Sequence, residues 1–256
     1  MKQLVAFVVS GFVLWGAAAE AVVVGNPGGV IGKGEIALGL ESERFKDAFE
    51  SDEVRSQRFL AKLTYGLTRN IDVFAKGGTG ALNVDSPGVT NTSGFEGDSR
   101  MALGGGVRLE SGAVPSLGNS RFFTSVQWLQ FESRGEFVRR ETYKGWTWDE
   151  RLETSYRWRE IGAAFGLARS FEKVSVYTGL AFTRVFGSVD REQFVLSEDT
   201  SVKVGDGEET FSEGPGTGLF LGFDFPLSPT FRLSTEYQLN DREHGSFFIG
   251  ICERMD

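Results

Sequence analysis

From Lys33 onward the chain alternates apolar residues with polar or very small ones, the period-two signature of strands with two unlike faces. In Lys33 to Glu43, Ile36, Leu38 and Leu40 share one face, and Glu35, Ala37, Gly39 and Glu41 take the other. Arg58 to Leu67 sets Phe59, Ala61, Leu63 and Tyr65 against Arg58, Lys62 and Thr64, and Ile71 to Gly77 sets Ile71, Val73 and Ala75 against Asp72 and Lys76. Ser99 to Glu110 places Met101, Leu103, Val107 and Leu109 opposite Arg100, Ala102, Gly104, Gly106 and Arg108. Arg121 to Phe131 is apolar in both phases, so its facing stays open. In Tyr156 to Ala168 the phase changes between Trp158 and Ile161, which predicts a bulge near Arg159 or Glu160. Val174 to Phe186, Gly216 to Phe225, Phe231 to Leu239 and Ser246 to Cys252 complete a set of about ten strands. The count falls to eight if two weak segments are loops and rises to twelve if Gly187 to Pro215 holds a hairpin.

Links between these segments alternate in length. Leu67 to Asn70, Ser111 to Ser120, Arg169 to Lys173 and Pro226 to Thr230 are the shorter ones. Arg44 to Gln57, Gly80 to Asp98, Glu132 to Ser155 and Gly187 to Pro215 are longer, with Asn240 to Gly245 a short fifth on the same side. Within Glu132 to Ser155, Phe137, Tyr143, Trp146 and Trp148 surround Lys144-Gly145, so two strands are expected to continue there as a ribbon. Upstream, Lys2 precedes an apolar core from Leu4 to Trp15 and small residues from Gly16, the arrangement of an export signal over residues 1–21. Cleavage fits after Ala19 or after Ala21, leaving 22–256 as one domain.

A soluble sandwich would show the same alternation with its charges in water. Lipid is favoured here by the export signal, by apolar faces about nine residues long, and by aromatics near segment ends: Tyr65, Trp128, Trp158, Phe186, Phe225 and Phe231. Hydrocarbon requires every backbone donor and acceptor to be paired internally, so the sheet must close, and closure puts Ile36 beside the Ile249 strand. In these features the chain resembles the bacterial outer-membrane β-barrel class of porin-like and small barrels, across essentially all of the mature sequence. The resemblance implies an all-β, closed antiparallel transmembrane barrel in the bacterial outer membrane. Its implied partners are outer-membrane lipid, the barrel-assembly machinery, and small ions or solutes if the lumen conducts. Members often end on an aromatic residue; this chain ends Cys252-Glu253-Arg254-Met255-Asp256.

Composition narrows the chemistry. The 256 residues carry a net charge of -8 and a pI near 5.0, which argues against a nucleic-acid partner. One Cys and one His leave no disulfide framework and no ordinary zinc site. No cofactor is expected. The Gly25 to Gly34 stretch fails the phosphate-loop pattern, with Pro27 at the first required Gly and Gly34 after Lys33. His244 with Ser246 faintly resembles lipid A deacylases, and Asp241, Glu243 and His244 suggest omptin proteases, but neither set is complete. Asp206, Glu208 and Glu209 lack calcium-loop spacing. The protein is thus expected to be non-enzymatic, a narrow channel or a structural component of the membrane, with surface adhesion through its longer links as the alternative. The residues expected to line the lumen are Glu35, Arg58, Lys62, Asp72, Lys76, Arg100, Arg108, Asp224, Arg232 and Glu236. They carry both signs, so pairs such as Lys62 with Asp72, or Arg232 with Asp224, would either fill the lumen or ring a hydrated path.

Overall fold

The computed structural model describes residues 31–49, 52–85, 95–196, 201–212, 216–240 and 245–255. The proposed export signal and its cleavage site, the start of the Gly25 to Gly34 stretch, Asp241, Glu243 and His244 lie outside these residues. The strands are β1 (Ile36–Phe49), β2 (Asp52–Gly66), β3 (Ile71–Asp85), β4 (Phe95–Glu96), β5 (Arg100–Glu110), β6 (Arg121–Tyr143), β7 (Trp146–Ser170), β8 (Ser175–Leu196), β9 (Ser201–Ser212), β10 (Gly216–Pro226), β11 (Phe231–Asn240) and β12 (Gly245–Met255). Each pairs antiparallel with its neighbour in sequence order, with two exceptions: β5 rather than β4 follows β3 in the ring, and β10 pairs with β8 rather than with β9. Closure occurs where β1 meets β12, with Ile36 opposite Met255 and Ser42 opposite Ile249. β9 ends at Ser212 opposite Phe186 and β10 resumes at Gly216 opposite Thr183, so both run along one edge of β8. With β4 only a two-residue flap on β3, ten strands form the ring.

The outward face is apolar. Leu40, Leu63, Met101, Phe165, Leu219 and Leu221 are exposed there, as are Tyr65, Phe225 and Phe231 towards the end where the short turns lie. The side chains of opposite parity, including most of the charged ones, are buried inside. A water-soluble barrel would have the reverse polarity; an apolar exterior on a sheet without open edges is what hydrocarbon demands. Among the described residues no helix is long and apolar enough to cross a membrane. The one helical segment among the described residues is a single 3-10 turn, Pro115–Leu117, in the β5–β6 link.

The strands run further than the sequence pattern suggests, and the longer links are largely strand. Beyond Phe131, β6 no longer pairs with β5 but continues with β7 to a Tyr143–Trp146 pair. Positive φ values at Lys144 (49°) and Gly145 (84°) close the tight turn expected there. Gly187 to Pro215 contains a hairpin, because β8 pairs with β9 up to Leu196 opposite Ser201. This hairpin extends the ring upward without adding a staff to it. Together β6, β7, β8 and β9 form a four-stranded flange above the rim. Its sequence resembles loop because polar residues are mixed there with apolar ones such as the exposed Val138, Trp146, Val202 and Val204, so no continuous apolar face marks a lipid side.

Two readings of facing change. The β6–β7 register runs unbroken from Arg121 opposite Ala168 to Tyr143 opposite Trp146, so there is no bulge at Arg159 or Glu160. Trp158 therefore points into the lumen, buried, and is not part of an outer aromatic belt. The ambiguity of β6 resolves with Phe123, Leu129 and Phe131 inside and Phe122, Val126 and Trp128 outside.

Candidate functional site

The lumen concentrates buried ionisable groups, and it is filled in layers. Towards the flange, Phe45, Leu60, Leu82, Leu129, Phe131, Trp158 and Val185 form an apolar layer. Phe45 meets Trp158 edge-on at 5.5 Å between ring centroids. Aromatic and branched side chains from strands on opposite walls meet here because a ten-stranded ring is only modestly wider than the eight-stranded kind whose interior side chains fill.

A charged layer interleaves with the lower edge of this apolar one, Glu160 standing level with Leu129 and Val185 and Glu41 level with Leu60. Arg58 reaches from β2 to β7 and donates to both oxygens of Glu160, Nη1 to Oε1 at 2.8 Å and Nη2 to Oε2 at 2.7 Å. Its Nε donates to Ser56 at 3.1 Å, and its Nη1 lies 3.5 Å from Glu43. The guanidinium also sits over the Phe45 and Phe131 rings, at 5.4 and 5.3 Å. Lys76 continues the chain to Glu43 at 3.0 Å and Glu41 at 2.8 Å, and Lys62 ends it on Glu41 at 3.2 Å. Three cations thus meet three carboxylates, all buried, so the layer is neutral and its members satisfy one another. Trp158 adds its indole N–H to Glu160 Oε2 at 3.1 Å.

On the far wall, Phe123, Tyr177 and Phe220 pack with Ala164, Ala168 and Ala181. Glycines make this possible: a Cβ on Gly222 would stand 2.0 Å from the Tyr177 ring. Near the short turns the lumen widens into a cavity of about 80 Å³ lined by Glu41, Lys62, Asp72, Arg108, Arg232 and Cys252 among others.

The ten residues nominated from sequence fall in three groups. Arg58, Lys62 and Lys76 belong to the charged layer. Asp72, Arg108, Asp224, Arg232 and Glu236 lie around or near the turn-end cavity: Asp72 pairs with Arg108 directly across β3 and β5, and Asp224 binds Arg232 at 3.1 Å and Ser234 at 2.9 Å. Glu236 is buried opposite Phe248. Glu35 and Arg100 sit at opposite ends, outside the buried network. Glu35 holds Arg254 at 2.6 Å and the Gly32 N–H at 2.7 Å, while Arg100 is half-exposed near Asp98.

The Arg232–Asp224 pair forms as expected, but Lys62 pairs with Glu41 rather than Asp72. The register sets Lys62 opposite Lys76 and Asp72 opposite Gly66, two turns of the pleat away. Glu41, Glu43 and Glu160, which supply every carboxylate of the charged layer, are not among the nominated residues, although the alternation already puts Glu41 on the inner face. Glu43 continues the parity of Glu41. Glu160 shares a face with Gly162, Ala164, Gly166 and Ala168, a run of small residues that marks the lumen side and would have identified it. Ser246 is buried inside, and no group of three potential metal ligands occurs among the described residues.

No family model matches the sequence, and no curated protein matches it. Solved structures do match in fold. The chain is similar to bacterial outer-membrane β-barrels. The translocator domain of the autotransporter NalP from Neisseria meningitidis is 10% identical, with 88% of this chain and 90% of that one covered at a TM-score of 0.48. An outer membrane channel from Pseudomonas putida F1 is 10% identical, over 91% and 100% of the two chains, at 0.44. Ail, the attachment invasion locus protein of Yersinia pestis, is 12% identical over 86% and 97%, at 0.31.

Proposed function

We propose that this is a non-enzymatic barrel of the bacterial outer membrane whose lumen is closed, and that it serves as a structural component presenting the β6–β9 flange. The observation that carries this reading is the bidentate Arg58–Glu160 bridge across the lumen, linked through Glu43, Lys76 and Glu41 to Lys62. A solute would have to break this neutral layer and then displace Trp158 and Phe131 above it. Lipid contacts the outward band, and the short turns face the periplasm.

A narrow channel is the second reading, favoured by the charged cavity of about 80 Å³ at the turn end of the lumen. The single cysteine separates the two readings, because Cys252 lines that cavity and is only partly buried. In proteoliposomes of known orientation, a charged, membrane-impermeant thiosulfonate applied from the turn side should modify Cys252, and the same reagent from the flange side should not. Equal modification from both sides would establish a continuous path and favour the channel.

A further inference from the structure

The outward wall carries a feature that neither a closed lumen nor a channel uses. On β7 and β8 the apolar band ends at Ile161 and Phe182, both exposed, with Ile161 directly opposite Trp128 of β6. The next outward positions are Arg184, opposite Ile161, and Arg159, opposite Phe186. Arg157 follows, opposite Ser188. All three arginines are exposed. Their acidic neighbours are unevenly distributed. Arg157 is bound to Asp190 at 2.8 Å, and above it Arg134 is bound to Glu132. Arg184 touches only a hydroxyl, Ser212 Oγ at 3.4 Å, and Arg159 has no ion-pair partner among the described residues. Arg159, Phe186, Ser188, Thr210 and Ser212 line a shallow groove of about 510 Å³ that opens outward, with Glu208 at its upper end.

Resting on the membrane reading above, we propose that Arg159 and Arg184 bind the phosphate of a lipid headgroup of net negative charge, in preference to a zwitterionic one, in the leaflet nearest the flange. The two residues are diagonal neighbours on adjacent strands, a spacing of roughly 7 to 8 Å across which two long side chains can converge on one phosphate. Ser212 supplies a third donor. The acyl chains of such a lipid lie downward along Ile161, Phe182, Leu180 and Phe165, which are exposed on the same wall. Position selects the lipid form of the ligand: an arginine pair at the border between an apolar band and a polar flange meets headgroups at their own depth.

Selective quenching of Trp128 tests this. The full chain is refolded into phosphatidylcholine vesicles containing either brominated phosphatidylcholine or brominated phosphatidic acid, and the Trp128 signal is taken by difference against Trp128→Phe. Brominated phosphatidic acid should quench more strongly, with a preference on the order of tenfold in relative association. The preference should disappear in Arg159→Gln/Arg184→Gln, persist in Arg140→Gln, whose charge lies far up the flange, and resist excess inorganic phosphate. If the double variant does not insert, Arg159→Gln, which breaks no ion pair, should by itself weaken the preference. Equal quenching by both lipids, or a preference that survives the variants, overturns the proposal. Loss of the preference in inorganic phosphate reassigns the site to a free anion and overturns the lipid assignment. Absence of quenching by either lipid places Trp128 outside the bilayer and refutes the membrane reading itself.

Discussion

Replacing Arg58 by Met tests the lumen most sharply. The change removes two charge-assisted hydrogen bonds to Glu160, the contact with Glu43 and the bond to Ser56, while leaving a side chain of similar length against Phe45 and Phe131. Glu43 keeps Lys76 at 3.0 Å, but Glu160 keeps only the Trp158 indole N–H at 3.1 Å. One buried carboxylate is thus left without a cation, a situation that costs about 3 to 5 kcal/mol. Arg58→Met/Glu160→Met removes both charges and should restore stability to within about 1 kcal/mol of the parent, because a packed apolar pair replaces a desolvated ionic one. The assay is urea unfolding of vesicle-refolded protein, followed by tryptophan fluorescence and heat-modifiable gel mobility. A single-variant loss below about 1 kcal/mol, the value of an exposed pair, would show that water reaches Arg58 and that the lumen is open. Additive losses in the double variant would equally refute the coupling.

Other parts of the structure give further expectations. Leu221→Arg places a charge on the outward face and should cost about 2 to 4 kcal/mol if it lies near mid-bilayer; an unchanged folding yield in lipid would contradict the assigned face. Gly222→Ala drives a methyl group into the Tyr177 ring and should cost about 1 to 3 kcal/mol through overpacking, visible as a lower urea midpoint; an unaltered midpoint would mean that Tyr177 does not cover this glycine. In the flange, the hydrogen bonds and charge of Arg140 hold the Asp149 carboxyl below the usual aspartate range. Because its folded value is depressed, the support this pair gives the ribbon is present above the ordinary Asp pKa and lost as pH falls through the lowered value. Amide protection factors around Thr142 to Asp149, corrected for the intrinsic pH dependence of exchange, should therefore fall at acid pH in the parent and change less with pH in Asp149→Asn.

Much of the ring is legible in the sequence because lipid imposes a simple rule on one face. Ile36, Leu38 and Leu40 identify the outward side of β1 without any knowledge of its neighbours, and the same holds for Leu219, Leu221 and Phe223 of β10. The lumen is harder to read because it obeys a different rule. Its aromatics, Phe123, Phe131 and Trp158, look no different from lipid-facing ones, so β6 shows apolar residues in both phases and β7 imitates a bulge. Partner choice is a matter of register, which alternation does not encode. Lys62 and Asp72 lie on adjacent strands with suitable charges, yet the pairing of β2 with β3 offsets them by four residues along the pleat. The Arg58–Glu160 bridge joins strands that are not neighbours in the sheet, so only closure of the ring brings the two residues together.

Single-channel recording of the refolded protein in a planar lipid bilayer tests the closed-lumen account most directly. A stably inserted barrel should remain silent across the voltage range, as should Arg232→Gln and Glu236→Gln. Reproducible conductance steps in the parent, with an ion selectivity that shifts in those two variants, would contradict closure and establish a charged pore.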